Sequence, residues 1–126
     1  MDITPADVPI RIEKPWGHEL WWAWTDQYVG KILHVDAGHR LSVQYHDHKD
    51  ETCYVMKGRL TLLKGDSADQ LVPREVGEGD QWRNLPGEIH TIEAIEDADV
   101  LEVSTPHLDD VVRLTDTYGR EGTNAP

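Results

Sequence analysis

The chain has 126 residues, enough for one domain around one core, and no Pro-, Gly- or Ser-rich linker divides it. Its 24 acidic residues against 12 basic ones, a net charge of −12, argue against nucleic acid or an anionic membrane as partner but allow a locally basic pocket. With no membrane-length apolar run and no secretory-signal pattern in MDITPADVPI, a cytoplasmic protein is expected.

Residues 1–13 read as an N-terminal arm, and 14–126 as a single domain with a C-terminal tail. From there the chain is a series of short segments of period-two or continuous apolar character, separated by Gly, Asp and Asn. HELWWAW (18–24), YVGKILHV (28–35), RLSVQYH (40–46) and ETCYVMK (51–57) read as strands. So do RLTLLK (59–64), QLVPREV (70–76), GDQWRNL (79–85), EIHTIEAI (88–95) and ADVLEVS (98–104). Gly58 and Glu96-Asp97 read as hairpin turns between them. Leu108–Arg113 is the one helix candidate, with Asp109 and Asp110 in its first turn. About nine short strands at regular spacing predict an all-β fold, an antiparallel sandwich or closed barrel.

Cys53 is the only cysteine, which excludes an intrachain disulfide and a Cys-based zinc site. Its apolar neighbours Tyr54 and Val55 predict a buried, inert thiol. Trp16, Trp21, Trp22 and Trp24 crowd the N-terminal part while Phe is absent. Core filling or a subunit interface is the expected use of these indoles, and an apolar face left by the first strands predicts a homodimer.

The chemistry concentrates in Gln44-Tyr45-His46-Asp47-His48, followed by Glu51. On a strand, Gln44, His46 and His48 would face one way and Leu41, Val43 and Tyr45 the other. Imidazoles, an amide and a carboxylate on one inner face are costly to bury unless something binds them. A divalent cation does so, since these groups are acceptable ligands for Zn, Mn, Fe or Ni, with Zn the first choice. By itself, a His-x-His pair reads more readily as a solvated hairpin end.

The spacing resembles that of the cupin family. Its first motif runs Gly, five residues, His-x-His, three or four residues, Glu, six residues, Gly. Gly38, Gln44-Tyr45-His46, Glu51 and Gly58 fall in that register, with Gln44 in place of the first His. Its second motif runs Gly, five residues, Pro-x-Gly, two residues, His, three residues, Asn. Gly79, Leu85-Pro86-Gly87, His90 and Ala94 fit that frame, with Leu85 and Ala94 substituted. The resemblance implies a cupin double-stranded β-helix and a metal set of Gln44, His46, Glu51 and His90 rather than the His46–His48 pair. His48 then lies just beyond, as an alternative ligand or an acid–base group.

KPWG (14–17), RLSVQYHDHKDE (40–51) and LDDVVRLTDTYGR (108–120) extend the likeness. Together they resemble the C-terminal isomerase domain of bifunctional mannose-6-phosphate isomerase/mannose-1-phosphate guanylyltransferase. No Gly-rich nucleotide-binding loop is present, so guanylyl transfer is not expected of this chain. What the resemblance implies is a metal-dependent aldose–ketose isomerase acting on a phosphorylated sugar. His48 would be its base, with Lys49 and Arg40 or Arg83 as the phosphate anchor. Lys49 stands where that branch carries Arg. Lys31 is a further anion-subsite candidate, and Arg120 could close over the pocket or pin the tail. The alternatives are a non-catalytic metal- or sugar-binding cupin and a metal-dependent oxygenase.

Overall fold

The computed structural model describes residues 3–122. After a 3-10 turn at Pro5–Asp7, the described residues contain eleven strands. They are β1 (Ile10–Lys14), β2 (Gly17–Trp24), β3 (Val29–Val35), β4 (Val43–Tyr45), β5 (Glu51–Lys57), β6 (Arg59–Gly65), β7 (Leu71–Gly77), β8 (Gln81–Asn84), β9 (Ile89–Ala94), β10 (Ala98–Ser104) and β11 (Val112–Thr115). Two sheets result, with orders β1-β2-β3-β10-β5-β8 and β11-β4-β9-β6-β7, and every pairing in them is antiparallel. This is the expected all-β architecture.

Several local expectations change. Gly58 and Glu96-Asp97 are not hairpin turns: β5 and β6, like β9 and β10, belong to different sheets, so these residues carry the chain around a corner. At the first corner Gly58 has φ +87°, and a Cβ there would lie 2.3 Å from the main-chain O of Asp97, so only Gly fits. Leu108–Arg113 is not a helix. It makes a turn and then enters β11, where β-branched Val112 suits the pleated surface better than a helix. Residues 10–13, expected within an arm, belong with Lys14 to β1, the edge strand of the six-stranded sheet, their Ile-x-Ile alternation being too short to stand out. Pro73 lies in β7, an edge strand, the position in a sheet where proline is tolerated.

The inward faces of the strands are graded. β3 turns Val35, Leu33 and then Lys31 inward, β10 turns Ala98, Val100 and then Glu102, and β5 turns Val55, Cys53 and then Glu51. Register aligns these levels, with Val100 opposite Leu33 and Val55, and Glu102 opposite Lys31 and Cys53. On the other sheet Ile92 sits beside Leu62, and His90 beside Gln44. One end of the sandwich is thus an apolar core, while the other end holds charged and ligand-type side chains. Trp16, Trp21 and Trp82 are buried; of the four N-terminal indoles, Trp22 is the one that stands well exposed, at 45 %.

Candidate metal centre

The polar end encloses a small cavity of about 70 Å³. His46, Glu51 and His90 converge there, with their ligand atoms all within 4.8 Å of one another and all three side chains buried. His46 follows β4, Glu51 opens β5, and His90 lies in β9.

Main-chain carbonyls orient both imidazoles. His46 Nδ1 donates to the main-chain O of Asp110, and His90 Nδ1 donates to that of Glu88 at 2.9 Å. Each neutral ring therefore keeps its Nε2 lone pair for the cavity, the arrangement that supports metal-binding histidines. Burial, its largest influence, lowers the His90 pKa, which favours the neutral ring a metal requires.

Glu51 is anchored through Oε2, which accepts from Cys53 Sγ at 3.5 Å and Asn84 Nδ2 at 3.4 Å. Its Oε1 lies 2.9 Å from His46 Nε2, yet neither atom makes a hydrogen bond. A lone pair facing a carboxylate inside a buried site fits a cation between them. Burial opposes ionisation of Glu51, but the Lys49 ammonium beside it outweighs this and holds its pKa well below the usual range. Gln44, half-buried, also faces the cavity, with Oε1 accepting from Ser42 Oγ at 2.6 Å. The four expected ligands thus line one cavity, three of them at a single point.

His48, Lys49, Arg40 and Arg83 are placed differently from expectation. β4 ends at Tyr45, so the period-two alternation stops there. Beyond it, the Asp110 carboxylate accepts three consecutive backbone N–H groups, from Asp47 (2.9 Å), His48 (2.6 Å) and Lys49 (2.8 Å). Such a nest turns the chain sharply. It leaves His48 exposed, with its ring against His107 rather than lining the cavity. Lys49 goes inward instead, with Nζ 3.2 Å from Glu102 and 3.5 Å from Glu51. Burial opposes its charge, but these two carboxylates more than compensate and raise its pKa. An ammonium so neutralised is not a free phosphate anchor. Arg40 bridges to Glu93 by its backbone and does not line the cavity. Arg83 is exposed, paired with Asp50 at 2.6 Å. Lys31 does line the cavity, 3.3 Å from Glu19 and over the Trp21 ring, as does Arg120.

Sequence reading missed Lys14, Glu19, Asn84, Glu102 and Arg113, all of which line the cavity. Part of the signal was present. Glu19 alternates with Trp21, and Glu102 with Val100 and Ala98, so each is a charged residue on an otherwise apolar strand face. Burial alone would raise the Glu19 pKa, but Lys31 and Lys14 bring it down to about 2. Glu102 goes the other way, raised by burial and then by Glu51. Burial also pushes the Cys53 thiol well up, as its sequence surroundings suggested.

The family described as Mannose-6-phosphate isomerase C-terminal matches residues 5–116. No curated protein matches the chain. Among solved structures, KdgF from Halomonas sp. is 21 % identical, with a TM-score of 0.69 over 79 % of this chain and 88 % of its own. A double-stranded β-helix protein from Klebsiella pneumoniae is 18 % identical, with a TM-score of 0.71 over 91 % and 93 %. Oxalate decarboxylase from Bacillus subtilis is 19 % identical, with a TM-score of 0.73 over 89 % of this chain and 31 % of its own. These likenesses are of fold, and the fold is that of the cupins. Among the described residues, no helix is long and apolar enough to cross a membrane.

Proposed function

We propose that this chain, which belongs to the mannose-6-phosphate isomerase C-terminal family, is a metal-dependent aldose–ketose isomerase acting on a phosphorylated sugar. The observation that carries this reading is the convergence of His46, Glu51 and His90 in a cavity whose walls are polar enough to bind a polyol. Gln44 completes the proposed ligand set, with zinc as the first choice among Zn, Mn, Fe and Ni. A divalent ion held there supplies a Lewis acid for the sugar carbonyl and its neighbouring hydroxyl.

The chain's own groups do the rest. Isomerisation moves a proton between adjacent carbons, so the site needs a carboxylate or imidazole facing the substrate. Exposed outside the cavity, His48 is badly placed for that step, and we assign it to Glu102 instead. Burial raises the pKa of Glu102 toward the working range of a base, and Lys49, 3.2 Å away, stabilises the ionised form. The single free cysteine suits a reducing, cytoplasmic setting, and a second copy of the chain is the expected protein partner.

The test measures metal content and solvent-deuterium incorporation into mannose 6-phosphate or fructose 6-phosphate. Wild type should retain about one ion and exchange deuterium. His46→Ala and His90→Ala should lose most of the metal, a larger loss than the roughly 10–100-fold of a supporting residue. Glu102→Gln should keep the metal and lose exchange, with His48→Ala unaffected in both. Failure of metal-loaded wild type to exchange deuterium into either sugar overturns the isomerase reading.

A further inference from the structure

Two polar atoms of β8 are left unmatched by the metal centre and its buried charges. In Gln81-Trp82-Arg83-Asn84 the strand alternates: Gln81 and Arg83 are exposed, Trp82 and Asn84 are buried, and both buried residues line the cavity. Arg83, the residue of this strand that sequence singled out, is turned away toward Asp50. Asn84 is only 1 % exposed and Trp82 only 5 %. Neither Asn84 Oδ1 nor Trp82 Nε1 has a hydrogen-bond partner among the described residues.

The orientation of the Asn84 amide follows from its neighbour. β8 pairs with β5, which sets Asn84 opposite Glu51 and Trp82 opposite Cys53. Lys49 holds Glu51 ionised, so both carboxylate oxygens only accept, and the amide must present Nδ2 to it, at 3.4 Å from Oε2. Oδ1 is therefore the end left over. His46 Nε2 faces the other carboxylate oxygen, Oε1, so Asn84 stands behind the carboxylate rather than among the proposed ligands. Supporting Glu51 needs only a donor, and the amide oxygen adds nothing to that task.

Burying a carbonyl acceptor and an indole donor unpaired costs stability, and on a cavity wall that cost is offset by a ligand carrying both kinds of partner. A hydroxyl is such a group, donating through its hydrogen and accepting through its oxygen. A bare cation would satisfy Oδ1 alone, and an anion Nε1 alone. We propose that Asn84 and Trp82 are specificity-determining residues that read sugar hydroxyls, Oδ1 by accepting and Nε1 by donating. The proposal rests on the isomerase reading for its substrate class. Since the metal would hold the oxygens of the two reacting carbons, carbons 1 and 2, the β8 wall reads hydroxyls further along the chain, at carbons 3 and 4.

Calorimetric titration of zinc-saturated protein with mannose 6-phosphate and its 2-deoxy, 3-deoxy and 4-deoxy analogues tests this, with bound zinc measured in each variant. It reads binding rather than turnover. For wild type, loss of the hydroxyl at carbon 3 or carbon 4 should weaken binding by roughly 10–100-fold, because a buried partner is left unpaired. Asn84→Leu should bind the parent ester more weakly by a similar factor and no longer distinguish it from that analogue. It should keep the wild-type penalty for the 2-deoxy sugar, which the metal reads. Trp82→Phe, which keeps an aromatic ring and lacks the N–H, should likewise lose a penalty at carbon 3 or carbon 4. If Asn84→Leu fails to fold, Trp82→Phe carries the measurement. Uniform weakening of all four ligands by both variants, with every penalty intact, makes these residues structural and overturns the proposal. So does a wild type indifferent to the hydroxyls at carbons 3 and 4. Deuterium exchange without this dependence leaves the isomerase reading standing and removes the β8 wall. Dependence on Asn84 without exchange leaves the wall and removes the isomerase reading.

Discussion

Lys49 shows how one side chain can change role when its orientation is known. Read from sequence, it follows a histidine cluster and looks like an anchor for substrate. Folded, it is buried between Glu51 and Glu102 and serves the site from within. Removing one partner of a buried charge group leaves the others uncompensated, typically at about 3–5 kcal/mol. Lys49→Met should therefore destabilise the protein by about that amount in urea unfolding, and adding Glu102→Met should recover much of the loss. If Lys49→Met unfolds like wild type, Lys49 is not the buried counter-ion described here. Ligand-type residues were legible because both motif frames fix their spacing, and Gln44, His46, Glu51 and His90 do line one cavity. The positions of His48 and Lys49 were not, since they depend on Asp110, 62 and 61 residues away in sequence.

Strands were legible wherever alternation ran for a full element, as in β3, β5, β6 and β10. The loop after β4 was hidden, because its shape is imposed by a residue of the segment before β11 that reads as a helix start. Asp110 holds that loop through its carboxylate and holds His46 through its carbonyl, so the two should fail together. Burial would raise the Asp110 pKa, but the three backbone N–H donors outweigh it and lower the value. A folded-state pKa below the unfolded one, about 3.9, contributes stability that is fully present above that value. The contribution is lost as pH falls through the lower, folded-state pKa. Asp110→Ala should thus lower stability by about 1–2 kcal/mol at neutral pH, as charge-assisted hydrogen bonds are lost. It should also weaken zinc binding by roughly 10–100-fold through His46. In thermal melts from pH 7 downward, the gap to wild type should narrow below about pH 4. A gap that stays constant into acid would show that the Asp110 carboxylate does not hold the loop.

At the scale of the whole molecule, the outer face of the six-stranded sheet is the surface that remains unexplained. An antiparallel sheet with one face on the core ordinarily turns polar side chains to water. Here Leu20, Ile32, Leu101 and Tyr54 stand opposite one another across β2, β3, β10 and β5, forming an apolar row on the outward side. Trp22 lies over Gly30 beside that row, close enough that a Cβ at residue 30 would be 2.6 Å from its ring, and Val103 and Met56 extend the patch. Apolar surface of this continuity usually marks an interface, and it supports the proposed homodimer, although through several strands rather than the indoles of the first alone. Each copy carries a net charge of −12, so apolar burial must outweigh repulsion between like-charged partners. Salt screens that repulsion, and association should therefore tighten as ionic strength rises. Light scattering coupled to size-exclusion chromatography should give twice the chain mass for wild type. Tyr54→Lys combined with Val103→Lys, both at exposed positions, should give the single-chain mass with unchanged zinc content. Monomeric wild type at every salt concentration, or a double variant that still dimerises, would remove this face as the interface.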